Sequence, residues 1–226
     1  MDNSNIDKII ADDRGDAHVG SSELTPLRAD AFEKSDDEKI ELIQENFAQI
    51  MHTLGLDLTD DSLKGTPYRV AKMFVKETFK GLDPKNKPDA RTFNNHYDYT
   101  DMVIEKNIRV SSFCEHHFLP FIGKAHVAYM STGKVIGLSK INRLVDYYSR
   151  RPQVQERLTL QIANALAEAM DTEDVAVFID SKHLCVSMRG IRDVDSSTIT
   201  SEFRGAFKEK DIQQKFIDFI RTDTDI

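Results

Sequence analysis

Both cysteines of this chain lie beside histidines, and this is the feature of the sequence best suited to do chemistry. Cys114 and Cys185 are the only cysteines among the 226 residues. The first begins a Cys-Glu-His-His run at 114–117, and the second ends a His-Leu-Cys run at 183–185. Thiolate and neutral imidazole are the ligands that zinc prefers, and two thiolates with one imidazole leave one coordination position open. That arrangement is typical of a catalytic zinc site.

The spacing within each run is compatible with metal binding. Cys114 and His117 are three residues apart, so a tight turn can direct both side chains at one ion. His183 and Cys185 are two residues apart, and on the strand predicted there they would share a face. The spacing alone leaves open which histidine is the ligand. It also leaves open that the cysteines are small buried side chains, although histidines beside both of them favour a metal.

A second candidate site lies in the run Ser139-Lys140-Ile141-Asn142-Arg143. It falls at the start of a predicted helix, where free backbone N–H groups and the helix dipole attract anions. Lys140 and Arg143 would share one face and add positive charge. The pattern predicts a phosphate site, and a capped helix with solvated basic side chains is the alternative.

Two further groups complete the candidate residues. Gln155 and Glu156 lie in the first turn of a predicted helix, where a carboxylate caps by default but could instead accept two N–H groups from a guanine edge. Arg189 follows the second cysteine by four residues and could reach an anion near the metal. A surface ion pair is the alternative for Arg189.

The elements that must position these residues follow from hydrophobic periodicity. Helices are predicted after a Ser35–Glu38 capping box, after an N-cap at Thr66, after an N-cap at Ser139, from Pro152, and over 211–221. Strands are predicted over 103–113, 124–130, 175–180, 183–188 and 196–201, with a turn near 131–133 and a loop over 82–99. Strand pairs that alternate with helix pairs favour an α+β fold with antiparallel hairpins over a doubly wound parallel sheet.

Composition excludes several classes of protein. The net charge of −8 argues against a nucleic-acid-binding protein, and two cysteines argue against a disulfide-stapled secreted scaffold. No apolar run is long enough to span a membrane, and we expect a cytoplasmic protein without a signal peptide. Residues 1–36 carry −5 of the −8 and are predicted to be a mostly disordered acidic tail. Residues 37–100 form a predicted helical region with a loop, and residues 101–226 form the predicted catalytic domain.

Several longer stretches occur in the order in which one enzyme family has them. They are Gly-Thr-Pro-Tyr-Arg-Val-Ala-Lys-Met at 65–73, Cys-Glu-His-His at 114–117, Gly-Leu-Ser-Lys-Ile-Asn-Arg at 137–143, Arg-Pro-Gln-Val-Gln-Glu-Arg-Leu at 151–158, His-Leu-Cys at 183–185 and Arg-Gly-Ile-Arg at 189–192. Together the stretches resemble GTP cyclohydrolase I, from about Asp37 to Arg221. The Glu-Phe-Arg-Gly run at 202–205 departs from the small residues that the family usually has there.

The resemblance implies a tunnelling fold, in which antiparallel strand pairs and helix pairs from several subunits build a β-barrel behind N-terminal helices. It implies a homodecamer with active sites at subunit interfaces. The implied reaction is the zinc-dependent conversion of GTP to 7,8-dihydroneopterin triphosphate and formate, the first step of folate and pterin biosynthesis.

The resemblance also implies a role for each matching residue. Zn²⁺ would be held by Cys114, His117 and Cys185, and His116 and His183 would transfer protons. Glu156, with Gln155 beside it, would bind guanine. The triphosphate would be held by Ser139, Lys140, Arg143 and Arg189, with Arg69 and Lys72 as further members.

Three other functions can be compared with this one. A zinc nucleobase deaminase needs a Pro-Cys-x-x-Cys run, which two distant cysteines cannot make. A non-enzymatic zinc protein would have four protein ligands and no substrate-binding residues. A related enzyme that opens the ring but stops at an intermediate would have the same sequence features and differ only in its product.

Overall fold

The computed structural model describes residues 21–131 and 133–222. Most of the acidic tail and Thr132 of the predicted turn therefore lie outside the described residues. The described residues contain six α-helices: α1 (Asp36–Thr53), α2 (Thr66–Met73), α3 (Leu138–Ser149), α4 (Gln155–Met170), α5 (Leu184–Ser187) and α6 (Lys210–Arg221). A π-helical turn continues α2 over Phe74–Thr78. No helix among the described residues has both the length and the apolar character that a membrane span needs.

The strands form one large sheet and one small one. The strands are β1 (Thr92–Asn94), β2 (Met102–Cys114), β3 (Pro120–Met130), β4 (Lys134–Ile136), β5 (Pro152–Gln153), β6 (Val175–His183) and β7 (Thr198–Phe203). The large sheet has the order β5-β2-β3-β6-β7, and β1 pairs with β4. Every pairing is antiparallel except that of the two-residue β5 with β2. The predicted α+β class with antiparallel pairs is confirmed.

Alternation along the strands gives the large sheet two apolar faces. One face presents Val127 and Ile179 to the buried stripe of α4, which includes Leu158 and Ile162. The other face presents Ala128 and Ala176 to Phe207 and Phe216, the latter from α6. Both faces are covered over this stretch, so the sheet is held rigidly between helices.

Helix starts were predicted with mixed success. The capping box is confirmed, since the Ser35 and Glu38 side chains each bond the other's backbone N–H group. The N-caps at Thr66 and Ser139 were wrong, because Gly65 and Gly137 precede those helices and make no side-chain cap. Thr66 instead accepts a bond from Arg69.

Three other predicted boundaries were also wrong. Pro152 lies in β5 and not in a helix, because its segment pairs with the end of β2 and α4 begins only at Gln155. The predicted loop over 82–99 contains β1, which pairs with β4. The predicted strand over 183–188 is instead the end of β6 followed by α5.

The described part of the tail lies against the body of the protein. Residues 21–35 contain no helix or strand, yet two buried arginines hold them. Arg157 donates to the Ser22 carbonyl at 2.7 Å, and Arg151 donates to the Thr25 hydroxyl at 3.3 Å. Arg151 is itself stacked on Tyr147 and Tyr148, with its guanidinium 4.8 Å from each ring centre. Ser22 and Thr25 of this segment thus contact the body of the protein, and the disorder of the tail as a whole stays a prediction.

The Gly81→Ala substitution is expected to destabilise the fold by about 3 kcal/mol through overpacking. A Cβ atom at Gly81 would lie 2.0 Å from the Tyr147 carbonyl oxygen and 2.8 Å from that of Arg150, so the backbone of α3 would have to move. The matched control is Gly55→Ala, where nothing lies within 4 Å and only a positive φ is penalised. Urea unfolding midpoints measure both variants. Equal midpoints for Gly81→Ala and the parent protein would contradict the predicted close contact.

Candidate active site

The first cysteine cluster is a tight turn between β2 and β3. Cys114 ends β2, and its N–H and carbonyl bond the Leu119 carbonyl at 2.8 Å and the Phe118 N–H at 2.9 Å. Phe118 adopts a positive φ of 52° to close the turn. The Cys114 sulfur lies 3.6 Å from Nδ1 of His116 and 4.0 Å from Nδ1 of His117.

The local structure that brings the second cluster to the first differs from the strand predicted from the sequence. His183 is the last residue of β6, whereas Cys185 lies in the helical turn α5. The two side chains therefore do not share a strand face. His183 stacks on Phe121 with ring centres 4.5 Å apart, and the helical turn places Cys185 beside Cys114.

These two clusters bring a set of metal ligands together. One ligand atom each from Cys114, His117 and Cys185 lies within 4.8 Å of the other two. Burial and the neighbouring Cys114 raise the pKa of the Cys185 thiol, and the charge of Arg189 opposes them. A bound divalent cation would reverse that shift, because coordination removes the proton from a thiol. Two sulfurs and one imidazole fit zinc, and three protein ligands leave a position for water or substrate.

The first turn of α4 contacts the second cluster through Gln155. The Gln155 amide nitrogen donates to the carbonyls of Ile179 at 3.2 Å and Thr198 at 2.9 Å, so its orientation is fixed. Its oxygen then faces Nε2 of His183 at 2.8 Å. Because an amide oxygen only accepts, Nε2 of His183 carries the hydrogen. The pairing of Gln155 with His183 was not predicted from sequence, since they are 28 residues apart.

Electrostatics keeps His183 mainly neutral. Burial lowers the pKa of His183, and the charge of Glu156 opposes this shift. Glu156 is exposed in the first turn of α4, one position beyond Gln155. The arrangement places a carboxylate and an oriented imidazole on neighbouring parts of one surface.

The candidate phosphate-binding residues occupy three places. Ser139, Lys140 and Arg143 lie in the first two turns of α3, and the first and third of these side chains are exposed. Arg189 is exposed and close enough to influence the Cys185 thiol. Arg69 and Lys72 are exposed on α2, where the Arg69 guanidinium bonds the Thr66 hydroxyl at 2.7 Å.

Comparison with known proteins identifies the family. The family model for GTP cyclohydrolase I matches residues 43–221. The chain belongs to the GTP cyclohydrolase I family. GTP cyclohydrolase 1 of Flavobacterium johnsoniae is 60% identical over 213 residues, which is 94% of this chain and 96% of that protein. GTP cyclohydrolase 1 of Erwinia tasmaniensis is 48% identical over 198 residues, covering 87% and 90% respectively.

Membership of the GTP cyclohydrolase I family decides between the classes of function. The protein is an enzyme with GTP cyclohydrolase activity, so a non-enzymatic zinc protein is excluded. A solved archaeosine synthase QueF-like structure aligns with a TM-score of 0.38 at 19% identity, over 45% of this chain and 90% of that one. That similarity is too weak to support any functional conclusion.

Proposed function

We propose that this GTP cyclohydrolase I opens the guanine ring of GTP at carbon 8 in a zinc-dependent reaction. The products are formate and 7,8-dihydroneopterin triphosphate, and the reaction is the first step of folate and pterin biosynthesis. The observation that carries the proposal is the convergence of Cys114, His117 and Cys185 in a member of this family. Their three ligand atoms come from two segments almost 70 residues apart in sequence.

The three ligand residues would hold one Zn²⁺ ion. A zinc ion bound there supplies Lewis acidity, which activates water near neutral pH. The protein contributes a turn closed by two backbone hydrogen bonds, which fixes Cys114 and His117 relative to each other. Cys185 approaches from α5, so folding must bring β2 and β6 to the same end of the sheet before the ligand set is complete.

His183 and His116 would transfer the protons of ring opening. His183 holds a hydrogen on Nε2 and is oriented by both Gln155 and the Phe121 ring. Because Gln155 accepts the Nε2 hydrogen, Nδ1 is the nitrogen that would take up a proton and pass it to a ring nitrogen of guanine, which would assist cleavage of the carbon–nitrogen bond. His116 lies beside the Cys114 sulfur, with its Nδ1 3.6 Å away.

Glu156 would recognise guanine by accepting two N–H groups from its edge. An exposed carboxylate beside His183 is placed for this task. Gln155 lies next to it, and its amide is already bonded to β6, β7 and His183. In this proposal Gln155 supports the guanine site by fixing the position of the turn.

The triphosphate would be held by Ser139, Lys140, Arg143 and Arg189, with Arg69 and Lys72 as outer contacts. The triphosphate is not cleaved, so these residues position the substrate and take no part in bond breaking. The homodecamer with interfacial active sites, the cytoplasmic location and the domain boundaries at 36 and 100 stay predictions.

The proposal is tested by identifying products and metal together. Purified protein incubated with GTP should release formate and a fluorescent pterin, and metal analysis should find close to one zinc per chain. A ring-opened formamide as the final product would contradict the complete reaction and favour the intermediate-stopping enzyme. Full activity in protein freed of divalent metal would contradict the zinc site.

The Lys140→Ala variant is expected to raise KM for GTP about 10- to 100-fold with a smaller effect on kcat. The loss of one charge-assisted hydrogen bond to phosphate corresponds to about 1.5–3 kcal/mol of binding. Lys134→Ala is the matched control, because Lys134 also lies near the start of α3 but pairs with Asp171. Steady-state kinetics separates the outcomes: a collapse of kcat at unchanged KM would contradict the positioning role.

A further inference from the structure

Arg157 is a buried cation that lies behind the metal-binding turn. Its side chain is only 3% exposed, and it forms a two-pronged pair with Glu115. The two guanidinium nitrogens donate to the two carboxylate oxygens at 2.5 and 3.2 Å, and Nε donates to the Ser22 carbonyl at 2.7 Å. Because a buried charge is costly unless it is paired and hydrogen-bonded, this geometry must be retained for Arg157 to stay buried.

Glu115 transmits this constraint to the candidate site. It lies between Cys114, a proposed metal ligand, and His116, a proposed proton-transfer residue. Its backbone N–H bonds the Gln153 carbonyl at 3.0 Å, and its carboxylate is held by Arg157. The turn is therefore fixed by a side chain as well as by its own backbone bonds.

The tail segment Ser22–Leu27 lies on the other side of Arg157. Besides the bond to the Ser22 carbonyl, the Thr25 hydroxyl accepts a bond from the buried Arg151. Residues 25–27 then form one wall of a cavity of about 430 Å³, which Glu115 and His116 also line. Arg157 thus joins the tail segment and the metal-binding turn by three hydrogen bonds.

We propose that Arg157 is a positioning residue for the metal-binding turn, and that Ser22–Leu27 is a structural part of the active-site wall. Arg157 acts through Glu115 and touches neither the ligand atoms nor the exposed face of Glu156. Its loss lets the turn relax, so the ligand set binds metal more weakly and His116 loses its alignment. The inference builds on the proposed zinc site, and its test separates the two.

The test compares Arg157→Lys with Arg150→Lys. Lysine keeps the positive charge but cannot bond both Glu115 oxygens and the Ser22 carbonyl at once. Arg150 is the matched control, since its side chain pairs with Asp146 on α3 and the same change is made nearby in sequence. Affinity for Zn²⁺ and Co²⁺ is measured on full-length protein by chelator competition, together with the Co²⁺ absorption spectrum, kcat and KM.

For Arg157→Lys we expect metal affinity and kcat to fall about tenfold or more, as for other groups that orient ligands from outside the coordination sphere. KM for GTP should change by less than about threefold, and the Co²⁺ spectrum should shift because the ligand geometry changes. Trypsin cleavage after the exposed Arg28, which follows the tail segment, should become faster. Arg150→Lys should match the parent protein in every measurement.

Any other result would contradict one part of the proposal. Parent-like metal affinity, spectrum and kcat in Arg157→Lys would overturn the positioning role. An unchanged rate of trypsin cleavage after Arg28 would overturn the proposed role of the tail segment. If Arg157→Lys does not fold, Glu115→Gln decides, and parent-like metal affinity in that variant overturns the inference. Absence of metal binding in the parent protein would instead overturn the zinc site itself.

Discussion

The Cys185→Ser variant should lose metal affinity and kcat by more than about 100-fold, because groups that only orient metal ligands already cost 10–100-fold when they are changed. Cys185 is one of two sulfurs in the ligand set, and its sulfur lies within 4.8 Å of the other two ligand atoms. Serine is nearly the same size, so packing around α5 should be preserved. Its hydroxyl stays protonated near neutral pH and is a poor zinc ligand. Zinc content by elemental analysis and turnover of GTP measure the effect.

The control for this variant is Val186→Ser. Val186 is the next residue of the same helical turn and is 36% exposed, so the same side chain is introduced without touching the ligands. It should keep zinc and activity. Parent-like turnover in a zinc-free Cys185→Ser protein would show that the sulfur has no part in the reaction.

The His183→Asn variant should lower kcat by about 10²- to 10⁴-fold, the usual contribution of a general acid or base, and should keep its zinc. Asparagine is too short to replace the Nε2 bond to the Gln155 amide oxygen, so the variant should also lose about 1 kcal/mol of stability while the ligand residues are unchanged. What is lost is the imidazole, whose lowered pKa keeps it mainly neutral at pH 7. Kinetics under saturating GTP, together with zinc analysis, separates a proton-transfer residue from a metal ligand.

His126→Asn is the matched control for this second variant. His126 is also largely buried and lies on β3, on the face of the sheet away from α4. Its Nδ1 accepts a hydrogen bond from the Asn107 N–H at 3.4 Å, where the register of β2 shifts. The role of His126 is therefore structural. Its kcat should be close to that of the parent protein. Loss of zinc from His183→Asn would instead make His183 a ligand.

Sequence predicted those parts of the fold that depend on neighbouring residues. The Ser35–Glu38 capping box is a contact between residues three apart, and the structure confirms both of its bonds. Pro152 was misplaced for the opposite reason. Proline suits both the first turn of a helix and a short strand, and only pairing with β2 decides between them.

In the candidate site, too, the sequence predicted features that depend on residue type and failed for those that depend on distant partners. Cysteine and histidine types identified the ligand set, because few other chemistries need them together. The strand predicted for His183 and Cys185 was wrong, since a two-residue spacing cannot distinguish a strand from the start of a helical turn. The partners of Gln155 and Arg157 lie 28 and 42 residues away, so only the folded chain reveals them.

The side chains of three consecutive residues at the start of α4 point in three different directions. Gln155 bonds His183, Glu156 is exposed, and Arg157 bonds Glu115. Successive residues of a helix point about 100° apart, so each side chain meets its partner only in this register. An insertion or deletion of a single residue between β5 and α4 would rotate all three away together. A change in the length of this short junction is therefore expected to do more damage than the replacement of any one of the three side chains.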